Sequence, residues 1–176
     1  STVKVFCTAS LSSGTMKAYF TRTVDNSVST GTNAINNTVM WDTLAAYINR
    51  AQRTLDIAIY NWDNSTGGNV ITTAVNNAFT RGVKIRLIYD GSTSNTGLQN
   101  LNASIKNVAS PQGANYTIMH NKFVIIDANG YPNESVVWTG SMNWTSAQMS
   151  TDANNVIIFQ DQSMARGYKL EFDEMW

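Results

Sequence analysis

Thr54-Leu55-Asp56-Ile57-Ala58-Ile59-Tyr60 and Val83-Lys84-Ile85-Arg86-Leu87-Ile88-Tyr89-Asp90 are two β-prone runs with apolar residues at alternate positions, the period of a strand. Asn64-Ser65-Thr66-Gly67-Gly68 breaks the first run. Val70, Val75 and Phe79 then mark a helix that Gly82 stops before the second run. A strand, a helix and a strand joined by short links form a right-handed crossover, and such a unit pairs its strands in parallel. The class is therefore α/β. Gly67-Gly68 lacks the GxGxxG or GxxxxGK frame of a phosphate cradle and is read as a plain loop ahead of the helix.

Upstream, Leu44, Tyr47, Ile48 and Ala51 fall at helical spacing and predict an amphipathic helix from Thr38 to Gln52 that covers the sheet. Asp25 to Asn37, rich in Ser, Thr, Asn and Gly, reads as a long loop. Val3-Lys4-Val5-Phe6 and Met16-Lys17-Ala18-Tyr19-Phe20 read as strands with a Ser/Gly turn between them. Residues 1–14 are either the start of the domain or the end of a preceding segment.

Downstream, Leu98, Leu101 and Ile105 predict a third helix ended by Pro111 and Gly113. Phe123-Val124-Ile125-Ile126 is an unbroken apolar run closed by Asp127-Ala128-Asn129-Gly130, the pattern of a strand buried on both faces. Ser135-Val136-Val137-Trp138-Thr139 reads as its neighbour. From Asp161 to Trp176, Met164, Tyr168, Phe172 and Met175 share one helical face, with Asp161 or Ser163 as the N-cap. The architecture is thus a mixed β-sheet flanked by α-helices on both faces. It forms a single domain over residues 1–176, with its site at the ends of central strands.

Composition narrows the function. With 43% apolar residues among 176, the chain can bury a substantial core. Twelve basic and twelve acidic residues give zero formal charge, so no strong non-specific grip on nucleic acid is encoded in net charge. Loops dominated by Asn, Ser and Thr make a polar, uncharged surface of the kind found on secreted or periplasmic proteins. Cys7, the only cysteine, excludes an intramolecular disulfide and reads as a small buried apolar residue. No apolar stretch approaches the ~20 residues that cross a bilayer. Asn36, Asn64 and Asn143 open Asn-x-Ser/Thr sequons, which an Asn-rich chain produces by chance.

The chemistry-bearing segment is Met119-His120-Asn121-Lys122-Phe123-Val124-Ile125-Ile126-Asp127, continued by Gly140-Ser141-Met142-Asn143. It holds the only histidine of the chain. Residues two apart on a strand point the same way, so His120 and Lys122 would offer an imidazole and an ammonium to one site. Asp127, at an odd spacing, would face away and anchor local structure. The turn after the second strand offers hydroxyl and amide donors, from Ser141 and Asn143, to an anionic oxygen.

His-x-Lys-x4-Asp followed by Gly-Ser-x-Asn resembles the signature of the phospholipase D superfamily. At ordinary residue frequencies this set of positions arises by chance on the order of once in a million, or once in a hundred thousand with a flexible loop length. The resemblance implies metal-independent cleavage of phosphodiesters with no cofactor. His120, Lys122 and Asp127 would be the catalytic set, with His120 attacking phosphorus to form a phosphohistidine. Lys122, Ser141 and Asn143 would hold the non-bridging oxygens.

That chemistry uses two histidines, and one chain supplies one. A symmetric homodimer would bring two copies of the motif to one shared site at a two-fold axis. Alternatively the chain is half of a longer polypeptide, since the longer relatives carry two such domains. The dimer is preferred, because no internal repeat is found. Relatives commonly place Glu-Asn about a dozen residues after the Gly-Ser-x-Asn turn to orient the histidine, whereas this chain has Asn154-Asn155. Asn154 and Asp152 are the candidates for that role here. The resemblance is strongest to the endonuclease-like branch, so a nuclease is the first expectation. A phospholipase D acting on phosphatidyl lipids is the second, and a weakly active or inactive binding module of the same fold the third.

Overall fold

The computed structural model describes residues 12–31, 33–36, 38–113 and 117–176; the strand read at Val3–Phe6 and Cys7 lie outside them. In chain order the elements are β1 (Ser12–Phe20), β2 (Ile35–Asn36), α1 (Met40–Ile48), β3 (Thr54–Ile59), α2 (Thr66–Thr80), β4 (Lys84–Tyr89), β5 (Lys106–Ala109), β6 (Lys122–Ile126), β7 (Val136–Gly140), α3 (Ser146–Ser150), β8 (Asn155–Asp161) and α4 (Gln162–Met175). Among the described residues the strands form one eight-stranded mixed sheet in the order β2-β1-β8-β7-β6-β3-β4-β5. β3, β4 and β5 run parallel to one another, and β6 pairs antiparallel with both β3 and β7. Helices cover both faces, as the sequence predicts.

Alternation along the strands divides the core between those faces. Leu55, Ile57, Ile59, Val124 and Ile126 pack under α1 and α2, joining Leu44, Ile48, Ile71 and Val75. Ala58, Phe123, Ile125 and Val137 face the other way, against Ala165 and Phe172 of α4. Phe172 is fully buried, which contributes about 2–3 kcal/mol. Its ring and that of Tyr168 both meet Phe123 edge-on, at centroid distances of 6.4 and 5.3 Å.

An ionic clamp fixes the same helix. Asp56 and Arg86 are paired in register on β3 and β4, and the guanidinium grips the buried carboxylate with two bonds of 2.7 and 2.8 Å. It also reaches Asp173 of α4 at 2.9 Å and lies 4.7 Å from the Phe172 ring centre. Asp56, chiefly through its hydrogen bonds, raises the Arg86 pKa despite burial. Removing either partner would strand a buried charge, which is where such pairs become costly. The Asp161 side chain caps α4 by accepting from the Met164 amide at 2.9 Å.

Four local expectations are corrected. The helix predicted through Leu98, Leu101 and Ile105 is a short 3-10 turn over Thr96–Asn100, followed by edge strand β5. Pairing with β4 outweighs the local helical spacing there. Gly67 and Gly68 lie inside the first turn of α2 and not in a loop, with the Ser65 side chain as cap. A β-carbon at Gly68 would sit 2.0 Å from the Asp63 carbonyl oxygen, and one at Gly67 would sit 2.9 Å from the Trp41 indole, so close packing demands both glycines. The Ser/Gly turn before Met16 is part of β1, which absorbs it as a register shift between Ser12 and Thr15. On α4, Met164 is 38% exposed and the buried face runs through Ala165 instead.

The loops leaving β3 and β7 are stitched together. Trp62 and Trp144 form an isolated parallel bridge, with their rings 4.8 Å apart and edge to face. The Trp144 amide donates to the Asn61 carbonyl at 2.9 Å, the Asp63 amide to the Trp144 carbonyl at 3.0 Å, and the Ser146 amide to the Asp63 carboxylate at 2.9 Å. The segment carrying Ser141 and Asn143 is thereby held to the end of β3. Among the described residues no helix is long and apolar enough to cross a membrane.

Candidate active site

β6 enters the sheet at Lys122, so His120 and Lys122 stand at its open rim, beside the C-terminal ends of β3 and β7. Both residues line one open cavity of about 590 Å³, together with Asn121, Phe123, Thr139 and Gly140 from the sheet rim. Ser163, Met164, Gly167, Tyr168 and Glu171 of α4 form the opposite wall. The imidazole and the ammonium are thus placed at one cavity.

His120 is exposed, and its imidazole makes no hydrogen bond to the described residues; its ring packs 4.7 Å from that of Tyr60. Lys122 is half-buried, donates to the His120 carbonyl at 2.9 Å and lies 5.2 Å from the centre of the Tyr60 ring. Burial lowers the Lys122 pKa below the ordinary lysine value. The side chain of Asn121, between them, donates to the Met175 sulfur at 3.1 Å and so ties the rim to α4.

Asp127 sits at the other end of β6. Its Oδ1 accepts from the Arg53 and Thr54 amides at 2.7 and 2.8 Å, and its Oδ2 from the Gln52 amide at 2.8 Å. This carboxylate fastens the start of β3 to the end of β6, in keeping with the anchoring read from its odd spacing.

The turn after β7 depends on Gly140, whose φ of +150° and close approach to the Asn155 carbonyl exclude a side chain. Ser141 then closes a local ring of bonds. Its amide donates to the Asn155 carbonyl at 3.1 Å, its hydroxyl accepts from the Asn155 amide at 3.1 Å, and that hydroxyl donates to Asn154 Oδ1 at 2.8 Å. The cavity wall stops at Gly140, short of Ser141 and Asn143. Asn143 Oδ1 is buried without a hydrogen-bond partner among the described residues.

Asn154 is buried, and its Nδ2 donates to the Gln148 carbonyl at 2.9 Å while its backbone exchanges bonds with Thr21. An amide fits this position because one oxygen must accept from Ser141 and one nitrogen must donate to a carbonyl; a carboxylate could not donate. Asp152 binds the Gln148 side chain. Within one chain, then, both candidates for orienting the histidine are engaged by the α3 region.

Two residues not singled out in the sequence hold the rim. Tyr60 follows the last residue of β3, and its amide donates to the Asn121 carbonyl at 2.8 Å. Asp90 follows β4, is buried, and accepts the Met119 amide at 2.6 Å and the Ser92 amide at 2.9 Å. Burial pushes the Asp90 pKa up, but the bonds from Ser92, Met119 and Thr93 outweigh it and hold the carboxyl below the ordinary aspartate value. The available signal was position alone: each residue lies just past the C-terminal end of a parallel strand, where α/β sheets assemble their sites.

A family model described as cardiolipin synthase, PLD-like domain, matches residues 44–176. The mitochondrial cardiolipin hydrolase of Xenopus tropicalis is 30% identical over 130 residues, covering 72% of this chain and 56% of its own. The phospholipase D of Rickettsia conorii is 33% identical over 133 residues, covering 71% of this chain and 58% of its own. The chain thus spans little more than half the length of these curated relatives. The crystal structure of Nuc from Salmonella typhimurium, a phospholipase D family member, matches with a TM-score of 0.67 at 18% identity, over 92% of this chain and 93% of that one. NucT from Helicobacter pylori matches with a TM-score of 0.60 at 21% identity, over 76% of this chain and 85% of that one. At such identities the structural likeness speaks for the fold. The strand order, the rim bearing His120 and Lys122, and the family match over residues 44–176 together make this chain a member of the phospholipase D-like family.

Proposed function

We propose that the chain cleaves phosphodiester bonds, without a metal, through a phosphohistidine at His120. One observation carries this reading: the sole imidazole of the chain stands exposed at a cavity rim, with no hydrogen bond to the described residues, beside a half-buried ammonium. A ring nitrogen of His120 attacks phosphorus and the bond to the leaving oxygen breaks. A second histidine gives that oxygen its proton, then takes one from water as the hydroxide releases the phosphoryl group. Lys122, with Ser141 and Asn143 from the adjoining turn, offsets charge on the non-bridging oxygens. Asp127 serves by fixing β6, and Asn154 by fixing Ser141.

The second histidine would come from a second copy across a two-fold axis, making the functional unit a homodimer. Nucleic acid is the substrate class proposed first, because a compact chain with a single histidine motif resembles the endonuclease-like branch of the superfamily. Phosphatidyl lipid is the second reading, favoured by the names of the curated relatives.

Purified protein incubated in EDTA with labelled single-stranded DNA, RNA or phosphatidyl vesicles separates the readings. Cleavage of one class, absent in His120→Asn, supports the enzyme and identifies its substrate. Equal behaviour of wild type and His120→Asn on every substrate would leave a binding module. Activity that appears only after a divalent ion is restored would overturn the metal-independent mechanism.

A further inference from the structure

The backbone of Tyr60 holds the rim, and its side chain stands at the same site. β3 is buried on both faces from Leu55 to Ile59, with Ile57 and Ile59 fully so. Tyr60 instead stands half-buried at the rim, between two polar side chains. Its ring lies 4.7 Å from the His120 ring at 67°, and the Lys122 ammonium sits 5.2 Å from its centre. An electron-rich ring face attracts a cation, and an edge-to-face contact fixes the relative tilt of two rings. The backbone of Tyr60 is also registered to the motif. Its amide donates to Asn121, between the two functional residues, at 2.8 Å, and its carbonyl accepts from the Thr93 hydroxyl at 3.0 Å. The backbone that carries the ring is therefore held in register with His120 and Lys122.

We propose that Tyr60 is a positioning residue, an aromatic platform that holds the His120 imidazole and the Lys122 ammonium in the relative placement that attack on phosphorus needs. It does not touch the reacting atoms. His120 has no hydrogen-bond partner among the described residues to fix its ring, so the aromatic contact supplies the orientation that a carboxylate commonly gives a catalytic histidine. For Lys122, whose charge burial disfavours, the ring supplies compensating attraction. The hydroxyl of Tyr60 has no part in either effect, which separates this proposal from a role in proton transfer.

The kinetic part of the test rests on His120 being the nucleophile, whereas the spectroscopic part does not. Because the chain has one histidine, its imidazole signals in a long-range proton–nitrogen spectrum are unambiguous. Unmodified protein is expected to show nuclear Overhauser contacts between the Tyr60 and His120 rings. Tyr60→Leu and Tyr60→Met should displace the His120 ring signals, while Tyr60→Phe keeps them near wild type. On bis(p-nitrophenyl) phosphate, the Leu and Met variants should lose kcat by roughly 10- to 100-fold with little change in KM, and Tyr60→Phe should recover the rate to within about threefold. Absence of the ring contacts in unmodified protein overturns the platform whether or not any variant folds. So does a folded Leu or Met variant with wild-type kcat and an unmoved His120 spectrum. If wild type cleaves no phosphodiester, the proposed function fails and the spectra alone decide the case of Tyr60.

Discussion

The two ends of β6 are built on opposite principles. At its C-terminal end Asp127 is buried and its carboxylate accepts three backbone amides. At its N-terminal end the His120 imidazole is exposed and bonds to none of the described residues, and Lys122 is partly stripped of water, with a carbonyl and a ring as its partners among those residues. Two polar groups five positions apart on one strand, Lys122 and Asp127, thus differ in what they are for. Satisfied groups hold a fold together, and groups held in place but unsatisfied remain free to bind something else.

The contrast breaks most sharply at His120. His120→Asn should lower phosphodiester cleavage by on the order of 10⁴-fold or more while leaving thermal unfolding unchanged. In a shared site, mixing equal amounts of wild type and that variant, with subunits exchanged, should cut activity to about one quarter, because a site then needs both copies intact. A fall only to one half would mean each chain acts alone. Lys122→Met should reduce kcat by about 100- to 1000-fold, with stability equal to or above wild type since a desolvated charge is removed. Burial shifts the Lys122 pKa below its ordinary 10.5, so a rate that needs the ammonium should fall as pH rises through that lowered value; an alkaline limb at or above 10.5 would break the link.

At the other end the effects should reverse. Asp127→Ala should cost about 3 kcal/mol in a denaturant titration by stranding buried amides, with the kcat of the folded fraction little altered. Asp127→Asn should cost less, because Asn also tolerates the left-handed backbone that Asp127 adopts at φ +49°. The smallest change is expected from Ser141→Ala, about 1–2 kcal/mol for the lost bonds to Asn154 Oδ1 and from the Asn155 amide.

How much of this was readable in advance follows from the range of the forces involved. The crossover of β3, α2 and β4, the paired β6 and β7, and the Asp161 cap of α4 are set by patterns within about fifteen residues, and all were legible. β5 was not, because Lys106–Ala109 is an exposed edge whose strand character comes from pairing with β4, far more than from its own residues. Gly67 and Gly68 look like loop punctuation until Trp41 and Asp63 are seen to press against them. His120 and Lys122 were legible as a spaced pair. Tyr60 and Asp90 were not, since an aromatic or an acid at the end of a strand carries no mark of which distant segment it will meet.

The stitching of Trp62 to Trp144 also bears on how this protein could change over generations. Two interlocked indoles and the amide bonds around them leave the Ser141–Asn143 segment little room to drift without loosening the core. The wall offered by α4, with Met164 and Glu171 facing open space, carries no such constraint. A laboratory selection for a new substrate should therefore return substitutions on that helix, and leave the tryptophans untouched.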